Sequence, residues 1–320
     1  MSNIVKKVKK AIGDPSSIII WLNKNTFLRL PSKIYLSVLY KKEIGEKINW
    51  KKPTTFNEKM QWLKIYNRNP EYSRMVDKAE AKKFFVEHLK KTGFENPDQY
   101  IIPTIAVYDR FEDIDFNKLP EQFVIKCTHD SGGIVICKDK IQFLSNPQKF
   151  QEAKNKIDRL LKRNYYWYGR EWPYKNVKPR VIVEKYMQND GEDELSDYKF
   201  MCFNGRVEMI LMCTERYSNG LKVTFFDREW KKMPFGRRYH PTSEKDIKKP
   251  KNFSSMIKLA EVLSKNIPFV RVDFYEIDGK VFFGELTFYP GSGLEEFTPK
   301  IWDRKLGDMI DLSRRQRNAK

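Results

Sequence analysis

Apolar and polar residues alternate near the end of the chain, where Val270, Val272 and Phe274 are separated by Arg271, Asp273 and Tyr275. Such alternation is typical of a strand that buries one face, and Asp278-Gly279 is a turn signal that joins it to a second β-rich run. The stretch 269–293 therefore contains a predicted β-hairpin. Its polar positions include Arg271, Asp273, Glu285 and Thr287.

The type of turn decides whether these polar side chains meet. A two-residue turn would pair Asp273 with Gly284 and place Glu285 on the opposite face. A three-residue loop, with Gly279 left-handed in a bulge, would pair Asp273 with Phe283. Asp273, Glu285 and Thr287 would then share one face, so this is the register that the hypothesis of a site requires.

Two carboxylates on one face of a hairpin can hold a hard cation between them, since diagonal neighbours lie roughly 7–8 Å apart. Oxygen ligands of this kind suit Mg²⁺, which prefers carboxylates and phosphates. Arg271 would neutralise the cluster or bind a phosphate. The alternative is a surface hairpin with solvated charges. The loop Pro290–Gly293 favours the site, because its glycines permit a ligand to approach the backbone closely.

The rest of the chain mixes helical and β-rich patterns. Thr55-Phe-Asn-Glu58 is a capping box, and Asp77-Lys-Ala-Glu80 opens a second helix, with Lys78 in its first turn, that stops near Gly93. Strands are predicted at 123–127 and 134–137, on either side of a glycine-containing loop, and Asn204-Gly205 predicts a tight hairpin turn. Helices are predicted over 146–164 and 254–266.

Two segments allow two interpretations each. Residues 165–174 are dense in aromatic side chains, including Trp167 and Trp172; they could stack sugars or bases, or fill the space between two lobes. Residues 1–52 combine lysines with the apolar faces of one or two amphipathic helices. They could attach to an anionic membrane, or form a helical cap on the main domain.

The composition restricts the class of binding partner but does not identify one. Lys and Arg number 61 against 42 Asp and Glu, an excess of 19 in 320 residues. Such a charge favours a polyanion: a nucleic acid, an acidic glycan, a nucleotide or an anionic membrane. The four cysteines form no CxxC pair and only three histidines are present, which favours free thiols in a reducing compartment over a zinc or disulfide framework.

The common nucleotide-binding signatures are missing from the sequence. It has no Walker loop (GxxxxGK[ST]) and no GxGxxG after a strand, which argues against a Rossmann dinucleotide site. It also has neither His-Arg-Asp nor Asp-Phe-Gly, the protein-kinase signatures.

An ordered set of short motifs nevertheless resembles the ATP-grasp superfamily, and within it the TupA-like branch of teichuronopeptide and polysaccharide biosynthesis. The resemblance covers about residues 50–310. The motifs that carry it are Thr55-Phe-Asn-Glu-Lys59, Asp77-Lys78, Phe123-Val-Ile-Lys126, His129-Asp-Ser-Gly-Gly133, Val183-Glu-Lys-Tyr186, Asp197-Tyr-Lys-Phe200, Arg271-Val-Asp273 and Glu285-Leu-Thr287 through Pro290-Gly291.

This resemblance implies an α+β fold in which two lobes with antiparallel sheets clamp a nucleotide. The implied organisation is a basic helical N-terminal segment (1–75), a first lobe with the glycine-containing loop (76–178), a second lobe with the adenine hinge and metal site (179–312), and a basic tail (313–320).

The resemblance also implies a role for each matching residue. Lys78 and Lys126 would hold phosphates, and the loop formed by His129, Ser131, Gly132 and Gly133 would close over them. Glu184, Lys185 and Met187 would surround the adenine, and Asp190 or Glu192 would bind the ribose. Lys199 would be a further phosphate ligand with a catalytic role, and Arg271 would steady the transferred phosphoryl group. Asp273 and Glu285 would hold Mg²⁺; Thr287 stands where many ATP-grasp enzymes have Asn, which places a second metal in question.

The implied chemistry is an ATP- and Mg²⁺-dependent ligase that activates a carboxylate and joins it to an amine. The basic excess suits an acidic glycan or uronate-containing substrate, and no nucleic acid is expected. The expected location is the cytoplasm, with peripheral contact to an anionic membrane through residues 1–52 as an option. The alternative function is a glycosyltransferase of capsule or O-antigen biosynthesis, although the hairpins do not suggest a doubly wound sheet.

Overall fold

The structure is a computed structural model that describes residues 15–25, 29–189, 195–215 and 220–315. Its helices are α1 (Pro15–Asn25), α2 (Ser32–Ile44), α3 (Phe56–Tyr66), α4 (Glu71–Val76), α5 (Glu80–Lys91), α6 (Lys140–Ser145), α7 (Pro147–Leu161), α8 (Tyr166–Gly169), α9 (Phe253–Ser264) and α10 (Ile301–Asp308). Its strands are β1 (Thr104–Tyr108), β2 (Phe123–Cys127), β3 (Ile134–Cys137), β4 (Val181–Lys185), β5 (Asp197–Phe203), β6 (Arg206–Thr214), β7 (Lys222–Asp227), β8 (Gly236–Arg237), β9 (Phe269–Ile277), β10 (Lys280–Thr287) and β11 (Phe297–Thr298).

Two antiparallel sheets form the framework. The first has four strands in the order β1-β4-β2-β3, and the second has five in the order β10-β9-β5-β6-β7. A short two-stranded sheet joins β8 and β11. Every ladder in the described residues is antiparallel, in agreement with the predicted α+β class and not with a doubly wound sheet.

The four-stranded sheet buries one face and presents the other to a cleft. Phe123, Ile125 and Cys127 alternate inward along β2 and are fully buried, in a core that includes Ile157 of α7. Strand β4 pairs with both β1 and β2, so the chain leaves this sheet only after Lys185. The lobe boundaries 76–178 and 179–312 stay a prediction.

The five-stranded sheet holds the larger core. Helix α9 packs on β5, β6 and β9, and the aromatic side chains of Phe200, Phe253 and Phe274 meet there. Helices α3, α4 and α5 contribute to the same core. The predicted capping box is confirmed: the Thr55 side chain accepts from the Glu58 amide, and the Glu58 carboxylate reaches back to the amide of Thr55.

The hairpin of β9 and β10 differs from the expected register. The turn contains two residues, Asp278 and Gly279, both with positive φ, and Ile277 pairs with Lys280; the three-residue loop was therefore wrong. A bulge at Gly284 inserts the additional residue instead, so that Glu285 lies directly opposite Asp273. A β-carbon on Gly284 would lie 3.0 Å from the Asp273 carbonyl oxygen, so glycine permits the close approach of the two strands there.

Helices α1 and α2 pack against the segment 165–174. The Tyr35 hydroxyl donates to the carbonyl of Tyr168 at 2.8 Å, and Arg170 donates to the side chain of Asn23 at 2.7 Å. Across the ranges that the structure describes, no helix is both long and apolar enough to cross a membrane. The lysines of residues 1–14 and the end of the predicted basic tail, 316–320, lie outside those ranges.

Candidate functional site

A cleft of about 970 Å³ separates the two sheets. One wall comes from the four-stranded sheet and helices α6 and α7; the other comes from β5, β6 and β9. The side chains at its base include Val124, Lys126, Ile134, Ile136 and Glu184 from the first sheet, and Asp197, Cys213 and Tyr275 from the second. The cleft is thus lined by both apolar and charged side chains.

Glu184 is buried between two lysines at one end of the cleft. Its carboxylate lies 2.6 Å from Lys126 Nζ and also forms an ion pair with Lys82. Burial acts to raise the pKa of Glu184, but the charges of Lys126 and Lys82 outweigh it and lower the pKa. Lys82 was missed in the sequence, although it follows Lys78 by four residues and so shares its side of the chain.

Lys78 connects α5 to the glycine-containing loop. Asp77 accepts from the amides of Ala79 and Glu80 at 2.9 and 3.2 Å and so begins α5, which places Lys78 just before the helix and not, as expected, in its first turn. Lys78 Nζ donates to the carbonyl of Asp130 at 2.6 Å, and its amide donates to Thr128. The predicted phosphate-binding lysine therefore also shapes the loop.

The loop 128–133 has a buried half and an exposed half. His129 is buried and its Nε2 lies 3.1 Å from the carbonyl oxygens of Leu160 and Arg163, so His129 attaches the loop to the end of α7. Ser131 and Gly132 are exposed, and Gly132 has a positive φ. A β-carbon on Gly133 would lie 2.9 Å from the Cys127 side chain, so this position requires glycine for packing.

The acidic cluster on β9 and β10 is built around Arg271. Arg271 Nε and Nη2 each bind one oxygen of Asp273 at 2.7 Å. The same Nη2 lies 3.1 Å from Glu285 Oε1 and 3.1 Å from Thr287 Oγ1, and Thr287 donates to Glu285 at 2.9 Å. Three oxygen-bearing side chains thus converge on one point, where the guanidinium now lies.

Lys199 joins this cluster from β5. Its Nζ lies 2.6 Å from Asp273 Oδ2 and forms a second ion pair with Asp197. Burial acts to lower the pKa of Lys199, but Asp273 and Asp197 outweigh it and raise the pKa. Asp197 was missed as a site residue; its alternation with Lys199 on β5, inside a motif already recognised, was the available signal.

Glu285 is the most accessible acid of the cluster, with 43% of its side chain exposed. Burial acts to raise the pKa of Glu285, yet the charges of Lys78, Arg271 and Lys199 outweigh it and hold the pKa at about 2. Asp273 is buried, with only 2% of its side chain exposed. Glu285 is therefore an anion at neutral pH, and it is the acid of the cluster that a ligand can reach most easily.

The donor set fits Mg²⁺ bound with a nucleotide. Within the described parts of the chain, no group of three or more His, Cys, Asp or Glu residues has the arrangement of a metal site. Mg²⁺ in nucleotide sites, however, takes one or two carboxylates and completes its shell with phosphate oxygens and water. Asp273, Glu285 and the hydroxyl of Thr287 supply that protein contribution.

The remaining predicted residues divide into two groups. Lys185, at the end of β4, and Met187, just after it, line the cleft beside Glu184. Asp190 and Glu192 lie outside the described residues, so their predicted contact with the ribose stays a prediction. The roles predicted for the individual site residues are likewise tested only by experiment.

A second polar cluster, absent from the sequence-based predictions, lies behind the site. Lys64 of α3 is fully buried and its Nζ donates to Gln61 Oε1, Ser292 O and Ser292 Oγ at 2.9, 2.8 and 3.0 Å. Ser292 has a positive φ between two glycines that share this conformation, and its side chain also bonds Glu171. Burial lowers the pKa of Lys64 to about 8 and raises that of Glu171.

The geometry defines a nucleotide clamp made of two antiparallel sheets. The family model of the TupA-like ATP-grasp proteins matches residues 58–311, which is most of the chain. The protein therefore belongs to the TupA-like ATP-grasp family, and the prediction of this family, of its fold and of an enzyme of the ATP-grasp ligase class is confirmed.

Solved structures with a similar fold are distant. The D-alanine–D-alanine ligase from Bacillus anthracis, in complex with ATP, is 19% identical, with a TM-score of 0.39 over 74% of this chain and 63% of that one. The biotin carboxylase domain of the Hydrogenobacter thermophilus 2-oxoglutarate carboxylase, in complex with MgADP and bicarbonate, is 14% identical, with a TM-score of 0.42 over 76% and 48%. Similarity at this level assigns no substrate to this chain.

The D-alanine–D-alanine ligase from Helicobacter pylori is 13% identical, with a TM-score of 0.39 over 80% of this chain and 69% of that one. Among curated protein sequences, none matches this chain.

Proposed function

We propose that the protein is an ATP- and Mg²⁺-dependent carboxylate–amine ligase. The observation that carries the proposal is the cluster of Arg271, Asp273 and Glu285. Lys199 connects this cluster to the cleft, because it pairs with Asp273 and with Asp197, which lines the cleft. Acids and cations held this closely, beside a cleft lined by further lysines, are the parts that phosphoryl transfer requires.

The cleft suits the nucleotide in one orientation. The apolar side chains Val124, Ile134 and Ile136 would cover the adenine ring, and Glu184 with the backbone up to Met187 would contact its polar edge. The triphosphate would then extend past Lys126 towards Lys78 and Lys199. In the exposed half of the loop, Gly132 would supply its backbone amide to the phosphates, whereas the amide of Ser131 donates to Asp130 Oδ1.

Asp273, Glu285 and Thr287 would hold Mg²⁺ together with the phosphate oxygens. Bound there, the ion would neutralise charge on the phosphates. Arg271 already binds both carboxylates, and Lys199 binds Asp273, so they keep these side chains in place before the nucleotide enters. The positive charge of Arg271 is also next to the position where the transferred phosphoryl group would lie.

The reaction has two steps. An oxygen of the substrate carboxylate attacks the γ-phosphorus of ATP, the bond to the ADP oxygen breaks, and an acyl-phosphate forms. The nitrogen of an amine then attacks the acyl carbon, the bond to the phosphate oxygen breaks, and the amine loses a proton. The protein would contribute positioning and charge stabilisation in both steps.

The acid is proposed to be a uronate or another carboxylate of a surface polysaccharide or its precursor, and the amine an amino compound. An excess of 19 basic residues supports an anionic substrate. The reaction would take place in the cytoplasm, where ATP is available. Contact of residues 1–52 with an anionic membrane remains a separate proposal.

Calorimetric titration with MgATP tests the nucleotide site first. We expect binding that requires Mg²⁺ and is lost in Asp273→Asn. Asp278→Asn, at the turn of the same hairpin, is the matched control and should bind normally, because Asn also tolerates a positive φ. Binding of a nucleotide sugar without any binding of MgATP would refute the ligase and favour the glycosyltransferase.

Turnover tests the assignment of Glu285. Glu285→Gln keeps the size and the hydrogen-bonding oxygen of the side chain but removes its charge. It should abolish ATP turnover in the presence of the acid substrate while the circular dichroism spectrum stays unchanged. Full activity of this variant would contradict the role of Glu285 at the metal.

A further inference from the structure

The aromatic segment after α7 has two faces with different surroundings. On one face Tyr166, Arg170 and Glu171 are buried. On the other face three tyrosines are only half-buried: Tyr165, Tyr168 and Tyr174. The two interpretations of this segment, packing and stacking, thus apply to different faces of the same segment.

The buried face is sufficient to fasten the segment. Arg170 donates to the side chain of Asn23 at 2.7 Å and to the carbonyl of Leu30 at 3.1 Å, and its guanidinium lies 4.7 Å from the centre of the Tyr35 ring. Glu171 is tied to Ser292 on the opposite side. Of the half-buried tyrosines, Tyr174 also packs against the larger core.

The half-buried tyrosines form one continuous surface. The rings of Tyr165 and Tyr174 meet edge to face at 4.8 Å, and those of Tyr165 and Tyr168 are stacked with centroids 6.4 Å apart. The guanidinium of Arg163 lies over Tyr168 at 4.7 Å and over Tyr165 at 5.8 Å. We call Tyr165, Tyr168 and Tyr174, with Arg163, the tyrosine platform.

The tyrosine platform borders the glycine-containing loop. Arg163 binds both oxygens of the Asp130 carboxylate, through Nε at 2.7 Å and through Nη2. The carbonyl of Asp130 accepts from Lys78 Nζ at 2.6 Å. The platform therefore lies beside the loop and the lysine that are proposed to hold the phosphates.

We propose that the tyrosine platform is the acceptor subsite and binds a pyranose ring that carries a carboxylate. Aromatic rings stack on the apolar face of a sugar at little entropic cost, and the positive charge of Lys78, held at the Asp130 carbonyl, favours an anionic sugar over a neutral one. A sugar bound there would lie next to the glycine-containing loop, where the phosphates of the nucleotide are proposed to lie. The inference rests on the proposed function, because it names the carboxylate substrate of that reaction.

The test uses saccharides of matched shape and different charge on the full-length protein. Tetragalacturonate is the acidic probe and maltotetraose the neutral one, and saturation-transfer NMR and calorimetry measure their binding without nucleotide. We expect tetragalacturonate to bind and maltotetraose to bind at least about tenfold more weakly. Absence of tetragalacturonate binding, or equal binding of both probes, would overturn the proposal.

Variants then locate the binding. Tyr168→Leu and Tyr174→Leu should each weaken tetragalacturonate binding about tenfold, whereas Tyr168→Phe, which keeps the ring, should bind nearly normally. Tyr239→Leu is the matched control, since Tyr239 is 71% exposed and also lies beside an arginine, Arg238. Unchanged binding in both platform variants would refute the subsite.

A parallel titration with MgATP separates this proposal from the one on which it rests. The platform variants should bind MgATP with unchanged affinity, which also shows that they are folded. If the protein binds MgATP but no variant affects the saccharide, only the acceptor subsite fails. If the protein does not bind MgATP at all, the proposed ligase fails and the subsite fails with it.

Discussion

Replacing Lys64 with Met tests whether the polar cluster behind the site is held together by charge. Lys64 is buried in α3 and donates all three of its hydrogen bonds to oxygens within 3.0 Å. Methionine has nearly the same length and volume, so the change removes the charge and the donors and leaves little cavity. The Ser292 carbonyl keeps a donor, because Gln61 Nε2 also binds it at 3.0 Å.

The expected loss of stability follows from the group that remains buried in the variant, Glu171. Without Lys64, Glu171 has lost the cation that faces it across the Ser292 hydroxyl, and breaking a buried pair in this way costs about 3–5 kcal/mol. Because one kcal/mol shifts the melting temperature of a chain of this length by roughly 2 °C, Lys64→Met should melt about 6–10 °C lower. Binding of MgATP should weaken as well, since the Pro290–Gly293 loop directly follows the strand of Glu285 and Thr287.

The pH dependence of the destabilisation and a second variant test whether the lost charge of Lys64 is its cause. Burial already raises the pKa of Glu171, and Lys64 acts to lower it, so Lys64→Met should raise it further. A protonated Glu171 needs no cation. The destabilisation should therefore be greatest at neutral pH and shrink as the pH falls, and Lys64→Met/Glu171→Gln should recover most of the loss at neutral pH.

Urea unfolding followed by circular dichroism measures these free energies. Lys59→Met is the matched control on the same helix, because Lys59 Nζ donates to two backbone carbonyls, those of Gly307 and Ile310, at 2.8 Å. Glu171→Gln should not rescue it. The reasoning is refuted if Lys64→Met costs less than about 1 kcal/mol, or if Glu171→Gln rescues both lysine variants equally.

Three further predictions concern the cleft itself. The pKa of Glu285 is held at about 2, below the ordinary 4.5. Its contribution to the free energy of unfolding is therefore complete above about pH 4.5 and is lost as the pH falls towards 2. In urea unfolding, Glu285→Gln should weaken this pH dependence, and an unchanged dependence would contradict the ion pairs. Cys213 is half-buried in the cleft, whereas Cys127, Cys137 and Cys202 are buried. One thiol should therefore react with a disulfide reagent, and it should do so at alkaline pH because burial raises its pKa. The reaction should be absent in Cys213→Ser and slower with MgATP; equal rates with and without the nucleotide would show that the nucleotide binds elsewhere. Mg²⁺ alone should bind weakly by calorimetry, since Arg271 and Lys199 already pair with Asp273, and strong binding without nucleotide would show that the carboxylates form a metal site by themselves.

Local sequence patterns determine much of the fold. The strands at 123–127 and 134–137, the capping box at Thr55 and the tight turn at Asn204-Gly205 depend on neighbours in sequence, and each appears where it was predicted. The ordered motifs also identified the family, because residues with a common function recur in a fixed order even when the overall identity is low.

The register of β9 and β10 shows where local reasoning ends. Both possible loops around Asp278-Gly279 satisfy the local pattern, and the choice of a three-residue loop was made to bring Asp273 and Glu285 together. The structure reaches the same face by a two-residue turn and a bulge at Gly284. A bulge is set by contacts with the neighbouring strand, which a single strand's sequence does not contain.

The sequence by itself determined the class of the protein and identified four residues that line the cleft, Lys126, Glu184, Lys185 and Met187. Only the tertiary structure decided which charges act together: Lys82 with Glu184, Lys199 with Asp273, and Lys64 with the Ser292 hydroxyl and Glu171. These partners are up to 228 residues apart in the chain, and a buried charge is stable only beside its partner. Such pairs depend on how distant elements pack, and packing is the property that local sequence patterns do not record.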